Sequence, residues 1–217
     1  MLKVDGISRS YGELTVVDKL SFTVNEGEFV ALLGPSGCGK STSLKMIAGL
    51  EVPEAGSIEL DGRDITRLSP GERKLAMVFQ SYALFPHLKV EENILFGLQA
   101  RKVSKAEQKR RLDSVVEMVG LGDHLQKKPS QLSGGQCQRV ALARAIVAQA
   151  KLCLMDEPLS NLDAKLRNEM RTEIRALQQR LGMSLLYVTH DHVEAMRMAD
   201  SIGLINNVKA EQSDQPQ

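Results

Sequence analysis

The stretch Gly34-Pro-Ser-Gly-Cys-Gly-Lys-Ser41 constrains this chain more than any other. It fits the pattern G-x-x-x-x-G-K-[ST], and its flanks matter as much as the pattern. Before it, Phe29–Leu33 is a short, continuous apolar run that reads as a buried strand. After it, Leu44, Met46 and Ile47 suit the buried side of a helix. A strand, a glycine turn and a helix start bring backbone N–H groups and the positive end of a helix to one point. That is what holding phosphate oxygens requires. The loop is expected to bind Mg-ATP, with Lys40 on the outer phosphates and the Ser41 hydroxyl on magnesium.

The wider pattern agrees with this local one. Leu75–Phe79, Leu152–Met155 and Leu185–Thr189 are further strand-length apolar runs, as a parallel sheet covered on both faces demands. Between the last two, Leu166, Met170, Ile174, Leu177 and Leu181 share one helical face, and Gly182 is a natural stop. Residues 81–150 show helical patterns and no strand. Ser104-Lys-Ala-Glu107 reads as a capping box, followed by a buried stripe of Leu112, Val115, Val116 and Val119 and a stop at Gly120. Leu2–Val4, Phe22–Val24 and Ser57–Leu60 read as short strands of a smaller β layer. The expected fold is α/β. Residues 1–80 and 151–205 form a nucleotide-binding core with the β layer, 81–150 form an inserted helical subdomain, and the polar 206–217 form a loose tail.

A chain of 217 residues can hold one such core with a small insertion. Its net charge is +1, without a basic block, so no nucleic-acid partner is expected. No apolar run approaches the roughly 20 residues of a membrane span, and no apolar leader stands at the N-terminus. Cys38, Cys137 and Cys153 lack metal-type spacing and read as reduced, cytoplasmic thiols. Cys38, near Lys40 and a helix start, is expected to be reactive, with ATP protecting it from alkylation.

A second acidic site follows from Leu152-Cys-Leu-Met-Asp156-Glu157, an apolar strand ending in two carboxylates. Asp156 suits a magnesium ligand and Glu157 a group that polarises the attacking water. Upstream, Leu132-Ser-Gly-Gly-Gln136 offers a hydroxyl and unobstructed N–H groups at another helix start. This segment resembles the signature motif of ATP-binding-cassette (ABC) ATPases, and it lies between the phosphate loop and the second acidic site as in that family. The resemblance covers about Leu2 to Ile205 and implies a P-loop NTPase core of the RecA-like kind.

By that resemblance, Gly34, Ser36, Gly37, Cys38, Gly39, Lys40, Ser41 and Thr42 form the nucleotide loop. Tyr11 is similar to the aromatic that stacks on adenine. Gln80 is similar to the Q-loop glutamine that contacts magnesium and the lytic water. Ser133, Gly134, Gly135 and Gln136 serve the nucleotide of a second copy, Ser160–Asp163 resembles the D-loop, and His190 resembles the switch histidine that contacts the γ-phosphate. The implied catalytic set is Glu157, His190, Gln80 and Lys40, and the implied metal set is Ser41, Gln80 and Asp156. Met77–His87, Met155–Arg167 and Tyr187–Met196 resemble importer ATPases of the maltose and glycerol-3-phosphate type. The implied protein is a homodimer on the cytoplasmic face of the inner membrane. It contacts permease subunits through Ser81–His87, and a substrate-binding protein indirectly.

Two departures stand out. Cys137 follows the signature where relatives usually carry Arg or Gln, and reads as a tolerated surface change. Importer ATPases of this kind continue into a β-rich regulatory domain, whereas this sequence stops at Gln217, with Asn206-Asn-Val208 at the place of a hairpin turn. Importers of polyamine, ferric iron or phosphonate share most of these passages. A soluble ABC ATPase of DNA repair or translation, a P-loop kinase or GTPase, and a shortened remnant that binds ATP with little activity are the competing readings.

Overall fold

The computed structural model describes residues 1–206 and 209–214. In chain order the elements begin with strands β1 (Leu2–Tyr11), β2 (Leu14–Val24) and β3 (Phe29–Leu33), then helix α1 (Lys40–Ala48) and strands β4 (Ala55–Leu60) and β5 (Arg63–Asp64). Helix α2 (Pro70–Arg73), strand β6 (Ala76–Val78) and helices α3 (Val90–Ala100), α4 (Lys105–Val119) and α5 (Gly134–Val147) follow. The chain continues through β7 (Leu152–Asp156), α6 (Ala164–Leu181), β8 (Ser184–Thr189), α7 (His192–Met198), β9 (Ser201–Asn206) and β10 (Lys209–Asp214).

These elements divide into two compact units. The first comprises Met1–Met77, Lys151–Glu157 and the chain from Arg171 onward; the second comprises Val78–Ala150 and Pro158–Met170. The sequence assigned 158–170 to the core, whereas these residues pack with the helices.

The first unit holds two sheets. One is antiparallel, in the order β2-β1-β4-β5, and is the small layer expected from the sequence, with strands longer than the apolar runs alone suggested. The other has six strands in the order β10-β9-β3-β8-β7-β6. Its β3, β7 and β8 run parallel, and every residue of all three is buried. Continuous burial explains their continuous apolar sequence, because neither face meets water. Leu44 and Ile47 of α1 share one core with Val30, Leu32, Leu154, Leu186 and Val188, and with Val4, Val24 and Ile58 of the antiparallel layer. This core fixes the loop Gly34–Gly39 at the end of β3 that feeds α1.

The sheet edge corrects one expectation. The polar sequence after Asn206 suggested a loose tail, yet Lys209–Asp214 pairs antiparallel with β9, Lys209 opposite Asn206. Main-chain hydrogen bonds make this strand, so an apolar period was not needed to form it. Asn207 and Val208 of the expected turn, and the last three residues, lie outside the described residues.

In the second unit, α4 buries the four expected apolar residues and ends at Gly120, whose φ is 65°. Its N-terminus differs from the expected box. Ser104 accepts from the Glu107 N–H at 3.3 Å, but the Glu107 carboxylate turns to Arg110 and Arg111 at 2.6–2.7 Å instead of closing the box. Two guanidinium groups outbid one backbone N–H for a carboxylate. Among the described residues, no helix is long and apolar enough to cross a membrane.

Candidate active site

The phosphate loop is built from close backbone approaches. A Cβ on Gly34 would stand 2.4 Å from the Ile205 carbonyl oxygen, and one on Gly39 would stand 2.3 Å from that of Val16. The loop therefore threads between β9 and β2 at two points where no side chain fits. Pro35, Ser36 and Gly37 form its exposed crest, while Cys38, Gly39 and Lys40 are buried. Gly39 caps α1 with φ 93°, a conformation glycine reaches without strain. Lys40, only 4% exposed, donates from Nζ to the carbonyls of Gly34 at 2.7 Å and Pro35 at 2.8 Å. The same ammonium stands 3.8 Å from Glu157 Oε1. It is a charge held inside the loop, facing oxygen acceptors. Thr42 follows, half-buried on α1.

β7 delivers the two carboxylates. Ser41 Oγ donates to Asp156 Oδ1 at 2.8 Å. Burial pushes the Asp156 carboxyl above its usual range and the neighbouring Glu157 adds to this, while the Ser41 bond pulls the other way. A buried, incompletely compensated carboxylate beside a hydroxyl is a donor pair that suits magnesium, which takes one or two protein oxygens and completes its shell with water and phosphate. Among the described residues, no group of three or more His, Cys, Asp or Glu side chains is placed to hold a metal ion.

Glu157 follows β7 with φ 42°, in the left-handed region, and its N–H donates to the Val188 carbonyl at 3.0 Å. Such a conformation costs on the order of 1–3 kcal/mol and persists where the surroundings impose it. Its Oε2 stands 2.9 Å from His190 Nδ1, with the ring N–H donating. The structure thus brings Lys40, Ser41, Asp156, Glu157 and His190 together around one loop, all within the first unit.

Tyr11 belongs to the same unit. Its hydroxyl bonds to the Glu51 carboxylate just past α1, and the Arg9 guanidinium lies 5.2 Å over its ring. The ring remains 47% exposed. The bond to Glu51 and burial raise the phenol above its ordinary range.

The other candidates lie in the second unit. Gln80 donates through its side-chain amide to Ser160 Oγ at 3.2 Å, and Asn161 donates to the Gln80 carbonyl at 3.0 Å. Asp163 caps α6, accepting from the Leu166 N–H at 3.0 Å. Ser133 caps α5 in a complete box: its Oγ accepts from the Gln136 N–H at 3.3 Å, and Gln136 Oε1 accepts from the Ser133 N–H at 2.9 Å. Gly134 and Gly135 form the first turn, and a Cβ on Gly135 would meet Leu166 at 2.8 Å. Cys137 is half-buried, with Sγ 3.8 Å from the Pro129 carbonyl, so it is not the plain surface substitution expected.

Sequence reasoning missed several supporting residues. Arg73, buried, donates to the Met46 and Ile47 carbonyls at 2.7 and 2.8 Å and so caps the far end of α1. Arg144 of α5 holds the Tyr82 and Ala83 carbonyls at 2.8 and 2.7 Å, at two residues with positive φ. Asn93 binds both the N–H and the carbonyl of Phe85. Arg, Asn or Glu inside a helix gives no local sign of such partners. Glu194, within the passage Tyr187–Met196, accepts from the Tyr187 and Thr189 hydroxyls, partners that the passage itself does not reveal.

The ABC transporter family model matches residues 17–160, two thirds of the chain. The chain belongs to the ABC transporter family. It is 50% identical over 215 residues to the sn-glycerol-3-phosphate import ATP-binding protein UgpC of Ruegeria pomeroyi, covering 99% of this chain and 61% of that protein. It is 51% identical over 215 residues to the sulfate/thiosulfate import ATP-binding protein CysA 2 of Chromobacterium violaceum, covering 99% and 58%. The chain thus spans about three fifths of the length of the curated relatives it matches. Among solved structures, the dimeric structure of MJ0796, a bacterial ABC transporter cassette, superposes with a TM-score of 0.87 at 31% identity, covering 100% of this chain and 99% of that one. The fold is that of the ABC cassette: a P-loop α/β core with an antiparallel β layer and a helical subdomain.

Proposed function

We propose that this chain binds Mg-ATP on Gly34–Ser41 and hydrolyses it to drive an ABC importer. The observation that carries the reading is the placement of Lys40, Glu157 and His190 around one loop, with the Lys40 and His190 nitrogens 3.8 and 2.9 Å from the two Glu157 oxygens. Glu157 orients water and takes its proton as the oxygen attacks the γ-phosphorus in line. Lys40 and the loop N–H groups stabilise the charge that develops on the phosphoryl oxygens. His190 contacts the γ-phosphate from the end of β8. Ser41 and Asp156 would hold magnesium, which would supply positive charge to offset that of the phosphate oxygens. Tyr11 offers the ring face opposite Arg9 to the adenine base.

Gly134, Gly135 and the Ser133 hydroxyl serve the nucleotide of a second copy, and the D-loop residue Asp163 lines the same dimer interface. The dimeric form of the structural relative supports this arrangement. The pair sits against the inner face of the membrane and engages permease subunits through Ser81–His87. The solute is glycerol-3-phosphate or a related sugar phosphate, as in the names of the UgpC relatives. Sulfate or thiosulfate is the second reading, favoured by the equally similar CysA 2.

Replacing Glu157 by Gln tests the chemistry: the variant binds ATP, dimerises and turns over almost nothing. Near-normal turnover would remove Glu157 from the role. For the solute, the cassette is reconstituted with its permease and offered binding proteins loaded with glycerol-3-phosphate or sulfate. The one that raises ATPase activity names the substrate.

A further inference from the structure

His190 is half exposed, and its ring stands 2.9 Å from Glu157. What holds it lies on either side in the chain. Thr189, at the end of β8, donates from Oγ1 to Glu194 Oε2 at 2.8 Å and accepts the Asp191 N–H at 3.0 Å. One hydroxyl therefore fastens both neighbours of His190. Glu194, on α7 and 4% exposed, also accepts the Tyr187 O–H at 2.8 Å through the same oxygen. Its other oxygen stands 3.5 Å from Arg171 Nη2, which bonds Asp191 Oδ2 at 2.8 Å. Asp191 in turn caps α7, accepting from the N–H of Val193 at 2.8 Å and of Glu194 at 3.2 Å.

Burying a carboxylate is costly unless its lone pairs are satisfied. Here the donors that satisfy it come from residues 187 and 189 on the strand and from Arg171, so satisfying the charge fixes the strand-to-helix turn that carries position 190. A buried apolar residue at 194 would fill the space without that constraint.

We propose that Glu194 is a positioning residue for His190, acting through the Thr189 hydroxyl and Asp191 to hold the ring against Glu157. This deepens the catalytic reading of His190 and rests on it. Glu194 is buried and acts through its neighbours; it sets where the ring stands when the γ-phosphate is engaged.

The test uses the full chain with three variants, Glu194→Gln, Thr189→Val and Thr189→Ser. Two measurements are made: steady-state Mg-ATP hydrolysis and the His190 ring resonances in NMR, assigned by their loss in His190→Ala. Glu194→Gln and Thr189→Val lower kcat by about ten- to a hundredfold, the scale of a small misplacement, and leave KM for ATP within about twofold. Both shift the His190 resonances, and Thr189→Ser, which keeps the hydroxyl, returns rate and resonances to near those of the original chain. Should Glu194→Gln not fold, the Val and Ser pair at position 189 carries the test. Unmoved His190 resonances overturn the proposal, as does kcat within about twofold of the original in folded variants, or a Ser variant as impaired as the Val variant. If the original chain hydrolyses no ATP, the functional reading fails. The resonances, which need no turnover, still decide whether Glu194 positions the ring.

Discussion

Gly39 carries two separate demands. Its φ of 93° costs any L-residue about 1–2 kcal/mol, and its Cβ would lie 2.3 Å from the Val16 carbonyl oxygen, a backbone atom that cannot swing aside. Gly37 has φ 83° but open space around it. Gly39→Ala is therefore expected to lower Tm by about 4–8 °C and abolish ATP binding, while Gly37→Ala loses only the conformational part, about 1 kcal/mol. Thermal melts with and without Mg-ATP separate the two. The pattern in the sequence requires glycine at 39 and leaves 37 open, but it records residue types and not the Val16 carbonyl that lies across from Gly39. The cysteines give a parallel case. A thiol beside Lys40 promised reactivity, but Cys38 is only 6% exposed and faces the core. Cys153 is wholly enclosed and burial pushes its thiol up to about 12. Cys137 is half-buried. With N-ethylmaleimide and mass spectrometry, labelling runs Cys137 first, Cys38 slowly and more slowly with Mg-ATP, and Cys153 only on unfolding.

At the level of elements, what could be read from sequence was what is written locally. β3, β7 and β8 were found because burial on both faces leaves an unbroken apolar run, and α4 because its stripe repeats at helical spacing. β10 has no such mark: it forms by pairing with β9, and its sequence has no apolar period. The caps divide the same way. Ser133–Gln136 closes its box within four residues, whereas Arg73 reaches the end of α1 from 26 residues away. α4 offers a test of the electrostatics at its start. Arg110 and Arg111 hold the Glu107 carboxyl at about 2, below its ordinary value. A depressed folded-state value means the stabilisation is present above the unfolded carboxylate range and is lost as pH falls through the folded one. Glu107→Gln should lower Tm slightly at pH 7. The difference should shrink as pH is taken from about 5 towards about 2, because protonation removes the same charge from the original chain. An unchanged difference across that range would mean that the ion pairs contribute nothing to α4.

For the whole molecule, the question is where the signature acts. In the chain itself the Ser133 hydroxyl caps its own helix, and the N–H groups of the first turn are those that a helix start leaves without intrahelical partners. They are suited to an anion brought from outside. If that anion is the nucleotide of a second copy in a head-to-tail pair, each site combines Lys40 of one protomer with Ser133 of the other. Two inactive variants then rescue each other. Lys40→Ala spoils the loop and Ser133→Arg blocks the signature. In a mixed dimer both lesions fall in one site and the other site is intact. Mixing equal amounts places half of the dimers in the mixed state with one good site of two, so ATP hydrolysis returns to about one quarter of the original rate. If the signature serves the nucleotide of its own chain, every protomer in the mixture carries one lesion at its own site, and the mixed sample stays as inactive as its parts.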